Sequence, residues 1–191
     1  PMFSSFVGGE GPYPASLHAR YEGGLVNQGI SAEMIAARWG LSRTYLDEIA
    51  ATSHARAAAA RDEGRFDEEI VGVTTPEGLV TQDQGIRSGT TIESLAGLKT
   101  PFQEGGVVTA GNASQISDGA AALLIMTSAR AAELGLAPIA RIHTVAMAGV
   151  DPIIMLTGPI PATQRVLKKA GLSIDDIGAF EVNEAFASVL G

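Results

Sequence analysis

The segment that decides the fold is Ile177-Gly178-Ala179-Phe180-Glu181-Val182, continued by Asn183-Glu184-Ala185-Phe186-Ala187. The hydrophobic first half predicts a strand, and the Asn183 side chain is of a type that caps the start of a helix. In α/β sheets the point where a strand passes into a helix presents groups to a ligand. An amide there can orient a water or donate to a developing oxyanion, although the pattern alone favours a plain helix cap.

Strands and helices alternate upstream of this segment. The apolar runs at 120–126 and 139–145 predict strands, the first suited to burial on both faces. Helices are predicted over Ser128–Glu133 and over 161–170, where Lys168 and Lys169 occupy the last turn. This order indicates an α/β sheet built by right-handed crossovers.

The N-terminal half has a different texture. Its first thirty residues, which contain Gly8-Gly9-Glu10-Gly11-Pro12 and Gly23-Gly24, are predicted to be loop. Gly8-Gly9-Glu10-Gly11 lacks the spacing of a dinucleotide- or phosphate-binding loop, so a plain loop is the favoured interpretation there. Two helices follow, with Ser31 and Ser42 as predicted N-caps, and the second helix should end before Gly64.

A mixed region connects the two halves. It contains a predicted short strand at 70–74 and a helix over 91–99, whose start fits a capping box in Thr90-Thr91-Ile92-Glu93. A strand at 107–109 then runs into Asn112-Ala113-Ser114. Those three residues match a glycosylation acceptor, but a simple turn is the favoured interpretation.

Composition excludes several classes of function. Thirteen Lys and Arg against 21 Asp and Glu give a net charge of −8, which argues against binding to nucleic acid or anionic membranes. His18, His54 and His143 show no metal-ligand spacing, so no metal site is expected. No apolar run is long enough to span a membrane, and a cytoplasmic location is expected. The sequence has no cysteine, which removes disulfides and any thiolate nucleophile.

Several blocks together resemble one family, and their order and spacing agree with it over nearly the whole sequence. In this combination the sequence resembles the thiolases. The blocks are Asn183-Glu184-Ala185-Phe186-Ala187, Gly111-Asn112-Ala113-Ser114, Asp118-Gly119-Ala120-Ala121-Ala122, Gly149-Val150-Asp151-Pro152, Gly158-Pro159-Ile160-Pro161-Ala162, Gly64-Arg65-Phe66 and Glu69-Ile70-Val71.

The resemblance implies a fold and a division into domains. We expect a partial thiolase-like layered α/β/α core with an α-rich insertion, the loop domain that binds coenzyme A (CoA). Residues 1–116 would form that loop domain, 117–136 the last part of the N-terminal core, and 137–191 the start of the C-terminal core. Thiolases assemble as homodimers or homotetramers, so the same is expected here.

The resemblance also implies an activity. Thiolases convert 3-ketoacyl-CoA and CoA into acyl-CoA and acetyl-CoA, or run the reverse condensation, through an acyl group carried on a cysteine. The family's asparagine that holds an oxyanion-hole water corresponds to Asn183, with Phe186 shaping the pocket. Asn27 and Gln28 stand where biosynthetic members carry a His-Met pair, which leans towards a degradative enzyme with a longer or bulkier acyl group.

CoA is expected as a substrate, with no tightly bound cofactor. Arg87 would meet the nucleotide end, where a guanidinium suits phosphate or stacks on adenine. Small residues would line the tunnel for the pantetheine arm, and Ser114 would hydrogen-bond one of its amides. The residues that the resemblance assigns to CoA are Arg87, Ser94, Leu98, Phe102, Ala110 and Ser114.

One departure from the family is large. The nucleophilic cysteine would lie upstream of Pro1, and the catalytic histidine and second cysteine downstream of Gly191. We therefore expect a fragment that does not catalyse thiolysis alone. Two other hypotheses stay open: a non-catalytic CoA-binding or interaction module derived from a thiolase, and a plain structural α/β domain without a ligand.

Overall fold

A computed structural model describes residues 15–21 and 24–191. The predicted loop at Gly8-Gly9-Glu10-Gly11 lies outside these residues. The helices are α1 (Ala15–Arg20), α2 (Gln28–Trp39), α3 (Arg43–Asp62), α4 (Ile92–Ala96), α5 (Ser128–Glu133) and α6 (Pro159–Ala170). The strands are β1 (Val73–Thr75) and β2 (Gly78–Val80), and short 3₁₀ helices cover Met155–Thr157, Ile174–Asp176 and Ala187–Val189.

Helix α2 begins one turn earlier than predicted. Asn27, not Ser31, is its N-cap, and the Asn27 Oδ1 accepts a 2.9 Å hydrogen bond from the backbone N–H of Gly29. Ser31 lies inside the helix and is fully buried. Asn27 and Ser31 are equally good cap residues, and the added turn buries Gly29 as well as Ser31. The prediction for Ser31 was wrong for this reason.

Other helix ends follow local signals more closely. Ser42 caps α3 by accepting from the Tyr45 N–H at 3.1 Å, as predicted, and α3 ends before Gly64, whose φ is +72°. The predicted bounds of α5 are confirmed. Helix α6 starts at Pro159, two residues before the prediction.

Two predictions for shorter helices need correction. The capping box of α4 pairs Thr91 with Ser94 rather than Thr90 with Glu93, so the helix is Ile92–Ala96 instead of 91–99. Ser94, at the third helical position, makes the capping-box bond that was predicted for Glu93. Helix α1 lies within the first thirty residues, which were predicted to be loop throughout.

The one sheet among the described residues is the antiparallel β1–β2 hairpin, in register Val73↔Val80. It overlaps the predicted strand at 70–74 only in part. The strands predicted at 107–109, 120–126, 139–145 and 177–182 are not formed.

These four predictions failed because a strand is completed by its neighbours. Backbone groups of an extended segment need partner strands, and apolar side chains need a second layer to cover them. Within the described residues the apolar segments at 120–126 and 139–145 have neither, and Leu123 is 89% exposed. Segment 107–109 differs, because Val108 and Thr109 are buried without being part of a sheet.

The core lies between α2, α3 and the last residues of the chain. Its two clusters of buried apolar residues both take one member from the region 185–189. The first cluster joins Ala32, Val108 and Phe186, and the second joins Ala36, Leu46 and Ala187. The last residues of the chain therefore pack against α2 and α3, which belong to the predicted CoA-binding insertion.

Candidate functional site

Two segments that are far apart in sequence meet in a short antiparallel contact. Ser114 donates its backbone N–H to the Ala185 carbonyl at 2.9 Å, and Ala187 donates to the Asn112 carbonyl at 2.9 Å. Between these bonds Ala113 and Phe186 form an isolated β-bridge. The contact places the backbone of Ser114 beside the segment that begins with Asn183.

Asn183 is not a helix cap. The residues that follow it are the bridged segment and then the 3₁₀ helix Ala187–Val189, so the helix predicted after Asn183 is absent. Pairing with residues 112–114 holds the backbone extended where a helix was expected. The Asn183 side chain is exposed, two residues before the carbonyl that accepts from Ser114.

Aromatic packing connects the predicted substrate pocket to the predicted CoA tunnel. The rings of Phe102 and Phe186 meet edge to face, with centroids 6.1 Å apart and planes at 81°. The same Phe102 ring lies against Gly29, where an added Cβ would come within 2.2 Å of it. Because Gly29 follows Asn27 and Gln28 directly, the start of α2 lies next to this aromatic pair.

Leu98 and Ser94 lie on the α4 side of the same region. A Cβ at Gly111 would come within 2.6 Å of Leu98 Cδ1, so Leu98 packs on the backbone beside the exposed Ala110. The Ser94 hydroxyl accepts from the Thr91 N–H at 3.1 Å and donates to the Thr91 carbonyl at 2.8 Å. A ligand that bonded to the Ser94 hydroxyl would have to compete with this cap.

The neighbouring Glu93 is an exposed carboxylate in the first turn of α4. Its own backbone N–H, and then the Thr91 hydroxyl, lower its pKa from the ordinary value. Glu93 is therefore charged at neutral pH, and a phosphate placed close to it would be repelled.

Arg87 is exposed and reaches towards the segment of Ser114. Its Nη2 donates to Gln115 Oε1 at 3.4 Å, and Gln115 Nε2 in turn donates to the Gly85 carbonyl at 2.6 Å. The backbone N–H of Arg87 donates to His54 Nδ1 on α3 at 3.2 Å. These bonds hold the loop of Arg87 to both α3 and residue 115.

A large cleft borders the contact between residues 112–114 and 185–187. Its volume is about 1090 Å³, and of the predicted site residues only Ser114 lines it. Ser53, His54 and Glu184 also line it, and Ser53 Oγ donates to Glu184 Oε2 at 2.6 Å. Sequence reasoning missed Ser53, which lies in an alanine-rich helix, and read Glu184 as part of a cap; no pattern singles out either one.

Residue Asn112 resolves the question of glycosylation. It is 3% exposed, and its Nδ2 donates to Asp47 Oδ1 and to the Val107 carbonyl, each at 2.9 Å. Both amide hydrogens are therefore engaged inside the protein. The turn interpretation holds for Asn112, whereas Ala113 and Ser114 pair with residues 185–187 instead of turning. A sugar at Asn112 would not fit.

Two negative observations apply to residues 15–21 and 24–191. No group of three or more His, Asp or Glu side chains there is arranged to hold a metal ion. No helix in the same residues combines the length and the apolar character that crossing a bilayer requires.

Comparison with known proteins decides the family. The model for "Thiolase, N-terminal domain" matches residues 13–129, and that for "Thiolase, C-terminal domain" matches residues 136–190. The chain belongs to the thiolase family. The two matches leave the short interval 130–135 between them, which includes most of α5.

Relatives of this thiolase-family chain carry two kinds of name. It is 47% identical to a 3-ketoacyl-CoA thiolase of Saccharophagus degradans, over 93% of this chain and 46% of the relative. It is 52% identical to an acetyl-CoA acetyltransferase of Rhizobium meliloti, over 85% of this chain and 42% of the relative. The chain thus spans about half the length of the curated relatives that it matches.

A solved structure fixes the fold. The crystal structure of the Bacillus anthracis acetyl-CoA acetyltransferase matches 86% of this chain with a TM-score of 0.84 and 41% identity. The match covers 43% of that structure. The fold is therefore the thiolase-like α/β fold, although several of its predicted strands lack partners among the described residues.

Proposed function

We propose that the chain is the CoA-holding part of a thiolase-type acyltransferase. The reaction is transfer of an acyl group between thiols: 3-ketoacyl-CoA and CoA give a shortened acyl-CoA and acetyl-CoA, or two acyl-CoA molecules condense in reverse. The observation that carries this proposal is the antiparallel contact of residues 112–114 with 185–187, which joins the Ser114 segment to the Asn183 segment.

In this proposal the two segments act on different parts of one substrate. Ser114 hydrogen-bonds an amide of the pantetheine arm, and the Asn183 amide holds a water that donates to the thioester oxygen as negative charge develops there. Donors fixed in advance at such an oxygen typically contribute about 10²–10³-fold to turnover. The pairing of the two backbones at 2.9 Å supports such a fixed separation.

The remaining contacts to CoA are assigned along the insertion. Arg87 binds the nucleotide end of CoA. Its guanidinium is exposed and makes only a long hydrogen bond to Gln115, at 3.4 Å, so it is suited to exchanging Gln115 for a phosphate. Ser94, Leu98 and Phe102 border the nucleotide and the pantetheine arm, and Ala110 and Ser114 line the narrow tunnel for the arm. The packing of Phe102 on Phe186 supports continuity between the tunnel and the acyl pocket.

The nucleophile must come from outside these 191 residues. The sequence contains no cysteine, and without a thiolate or another activated nucleophile nothing can carry the acyl group between the two half-reactions. We therefore propose that the chain alone does not catalyse thiolysis. Apolar segments 120–126 and 139–145, exposed here, would pair with strands of the remainder of the enzyme.

The finer assignments complete the proposal. Residues 1–116 form the loop domain, 117–136 end the N-terminal core, and 137–191 begin the C-terminal core. The enzyme is a cytoplasmic homodimer or homotetramer that needs no tightly bound cofactor. Asn27 and Gln28, at the start of α2 beside Phe102, replace a His-Met pair and favour degradation of longer or bulkier 3-ketoacyl-CoA substrates in fatty acid metabolism.

A second candidate is a non-catalytic module that binds CoA or a protein partner. The absence of cysteine favours it. The two candidates differ in the sequence of the complete protein, since an acyltransferase requires a cysteine before this segment and a histidine and cysteine after it.

The deciding experiment is thiolysis by the protein encoded by the complete gene. Loss of the 3-ketoacyl-CoA absorbance on addition of CoA is expected, faster for long-chain substrates than for acetoacetyl-CoA. Binding of CoA without any thiolysis would support the non-catalytic module, and absence of both would refute the acyltransferase and a CoA-binding module alike.

A further inference from the structure

Asn112 lies at the centre of a buried network of hydrogen bonds, two residues along the chain from each of the proposed tunnel residues Ala110 and Ser114. The Asn112 Oδ1 accepts from the Thr109 N–H at 2.8 Å, which adds to the two bonds that its Nδ2 donates. The backbone carbonyl of Asn112 accepts from Ala187. One residue thus fixes its own turn and ties that turn to the segment that follows Asn183.

The network continues through charged groups into α3 and α4. Asp47 is 1% exposed; its Oδ1 accepts from Asn112 and its Oδ2 from Arg43 Nε at 2.7 Å. Arg43 Nη2 then donates to the carbonyls of Leu95 and Leu98 at the end of α4. The Leu98 carbonyl is therefore connected to Asn112 by hydrogen bonds through Arg43 and Asp47.

A second carboxylate anchors the start of the turn. Glu33, 4% exposed on α2, accepts from the N–H groups of Val107 and Val108 at distances of 2.8–3.0 Å. A Cβ at Gly106 would lie 2.2 Å from the Glu33 carboxylate, so glycine is required there. The segment 106–112 is thus bonded on both sides by buried carboxylates rather than by strands.

We propose that Asn112, held by Asp47, is a positioning residue for the pantetheine arm of CoA. The inference rests on the proposed function. Asn112 touches no substrate; it sets the place of Ser114 and Ala110, two residues away on either side, relative to Asn183. Asn112 makes no direct hydrogen bond to Arg87, whose loop is held to α3 through His54 as well as to Gln115, so the nucleotide end of CoA depends on Asn112 less than the arm does.

The test compares two ligands on the protein encoded by the complete gene and uses Asn112→Asp. The variant keeps the shape of the side chain, removes both amide donors and places a second carboxylate beside Asp47. We expect the CoA dissociation constant to rise about tenfold, the effect of losing one well-placed hydrogen bond. Adenosine bisphosphate, the nucleotide end of CoA without its arm, should bind as before within about twofold, because the backbone N–H of Arg87 stays bonded to His54 on α3.

Two further variants separate positioning from stability. Asp47→Asn leaves one acceptor oxygen for two donors, Arg43 Nε and Asn112 Nδ2. It should weaken CoA binding selectively, but less than Asn112→Asp does. This variant replaces Asn112→Asp in the test if the latter does not fold. Ala131→Gly, in the distant α5, should lower stability without changing either dissociation constant. Calorimetric titration measures the dissociation constant of each ligand for each variant.

The outcomes are distinct. Selective loss of CoA binding supports the inference. Equal loss of both ligands, or loss of neither, in variants of a chain that itself binds CoA would overturn the role of Asn112 while leaving the proposed function intact. If the unaltered chain bound neither ligand, the proposed function would fail, and the inference with it.

Discussion

Substitution of Gly29 by alanine tests whether the start of α2, Phe102 and Phe186 form one packed unit. The new methyl group would lie 2.2 Å from the Phe102 ring, so the ring must shift from Gly29, and this disturbs its edge-to-face pair with Phe186. Overpacking of this kind costs about 1–3 kcal/mol, and loss of the edge-to-face pair adds about 0.5–1.5 kcal/mol. Replacing glycine in a helix returns up to about 1 kcal/mol.

We therefore expect Gly29→Ala to lower the free energy of unfolding by about 0.5–4.5 kcal/mol. Urea denaturation followed by circular dichroism measures the change, which should appear as a lower midpoint at an unchanged slope. Gly97→Ala is the matched control: Gly97 caps α4 with φ −77° and has nothing within 4 Å of an added Cβ, so no loss is expected. A Gly29→Ala chain as stable as the control would refute the packing argument.

Three further substitutions address the site and the pH response. In the complete enzyme Arg87→Ala should raise the CoA dissociation constant about tenfold with turnover little changed, because Arg87 contacts a part of CoA that does not react; a pure loss of turnover would contradict this. In the complete enzyme Asn183→Ala should lower turnover about a hundredfold with CoA affinity kept, and unaltered turnover would remove Asn183 from the active site. Ser173→Ala should raise the pKa of Asp176, which the Ser173 N–H and hydroxyl now lower. A lowered pKa stabilises the folded state at pH values above the pKa of the unfolded chain, and this contribution disappears as the pH falls through the pKa of the folded chain. The variant should therefore be less stable than the unaltered chain at neutral pH, and the difference should shrink in acid. NMR titration of Asp176 in both chains checks the pKa change.

Local signals were enough to predict most helices. Ser42 and the glycine at position 64 define the ends of α3, and the bounds of α5 were predicted correctly, because cap and stop residues act within one turn. Asn27 and Ser31 show the limit. Both residues can cap, and the choice between them depends on what α2 buries against the rest of the protein, which no local pattern contains.

Strands could not be predicted in the same way. The runs at 120–126 and 139–145 have the composition of buried strands, but composition does not supply the neighbours that a strand requires. The contact of Ala113 with Phe186 was equally invisible to pattern, since the two residues are far apart in the sequence. Resemblance to a family placed those segments in one site, whereas local pattern read them as a turn and a helix cap.

The central claim is that CoA enters along the Ser114 segment and presents its sulfur end to Asn183. NMR on the isotope-labelled chain tests it directly, using CoA whose thiol carries a nitroxide spin label. Paramagnetic broadening is predicted to be strongest for the Asn183 side-chain amide and the Phe186 ring, and weaker for the backbone amide of Arg87. Bound label that broadens Arg87 and leaves Asn183 sharp would contradict the account.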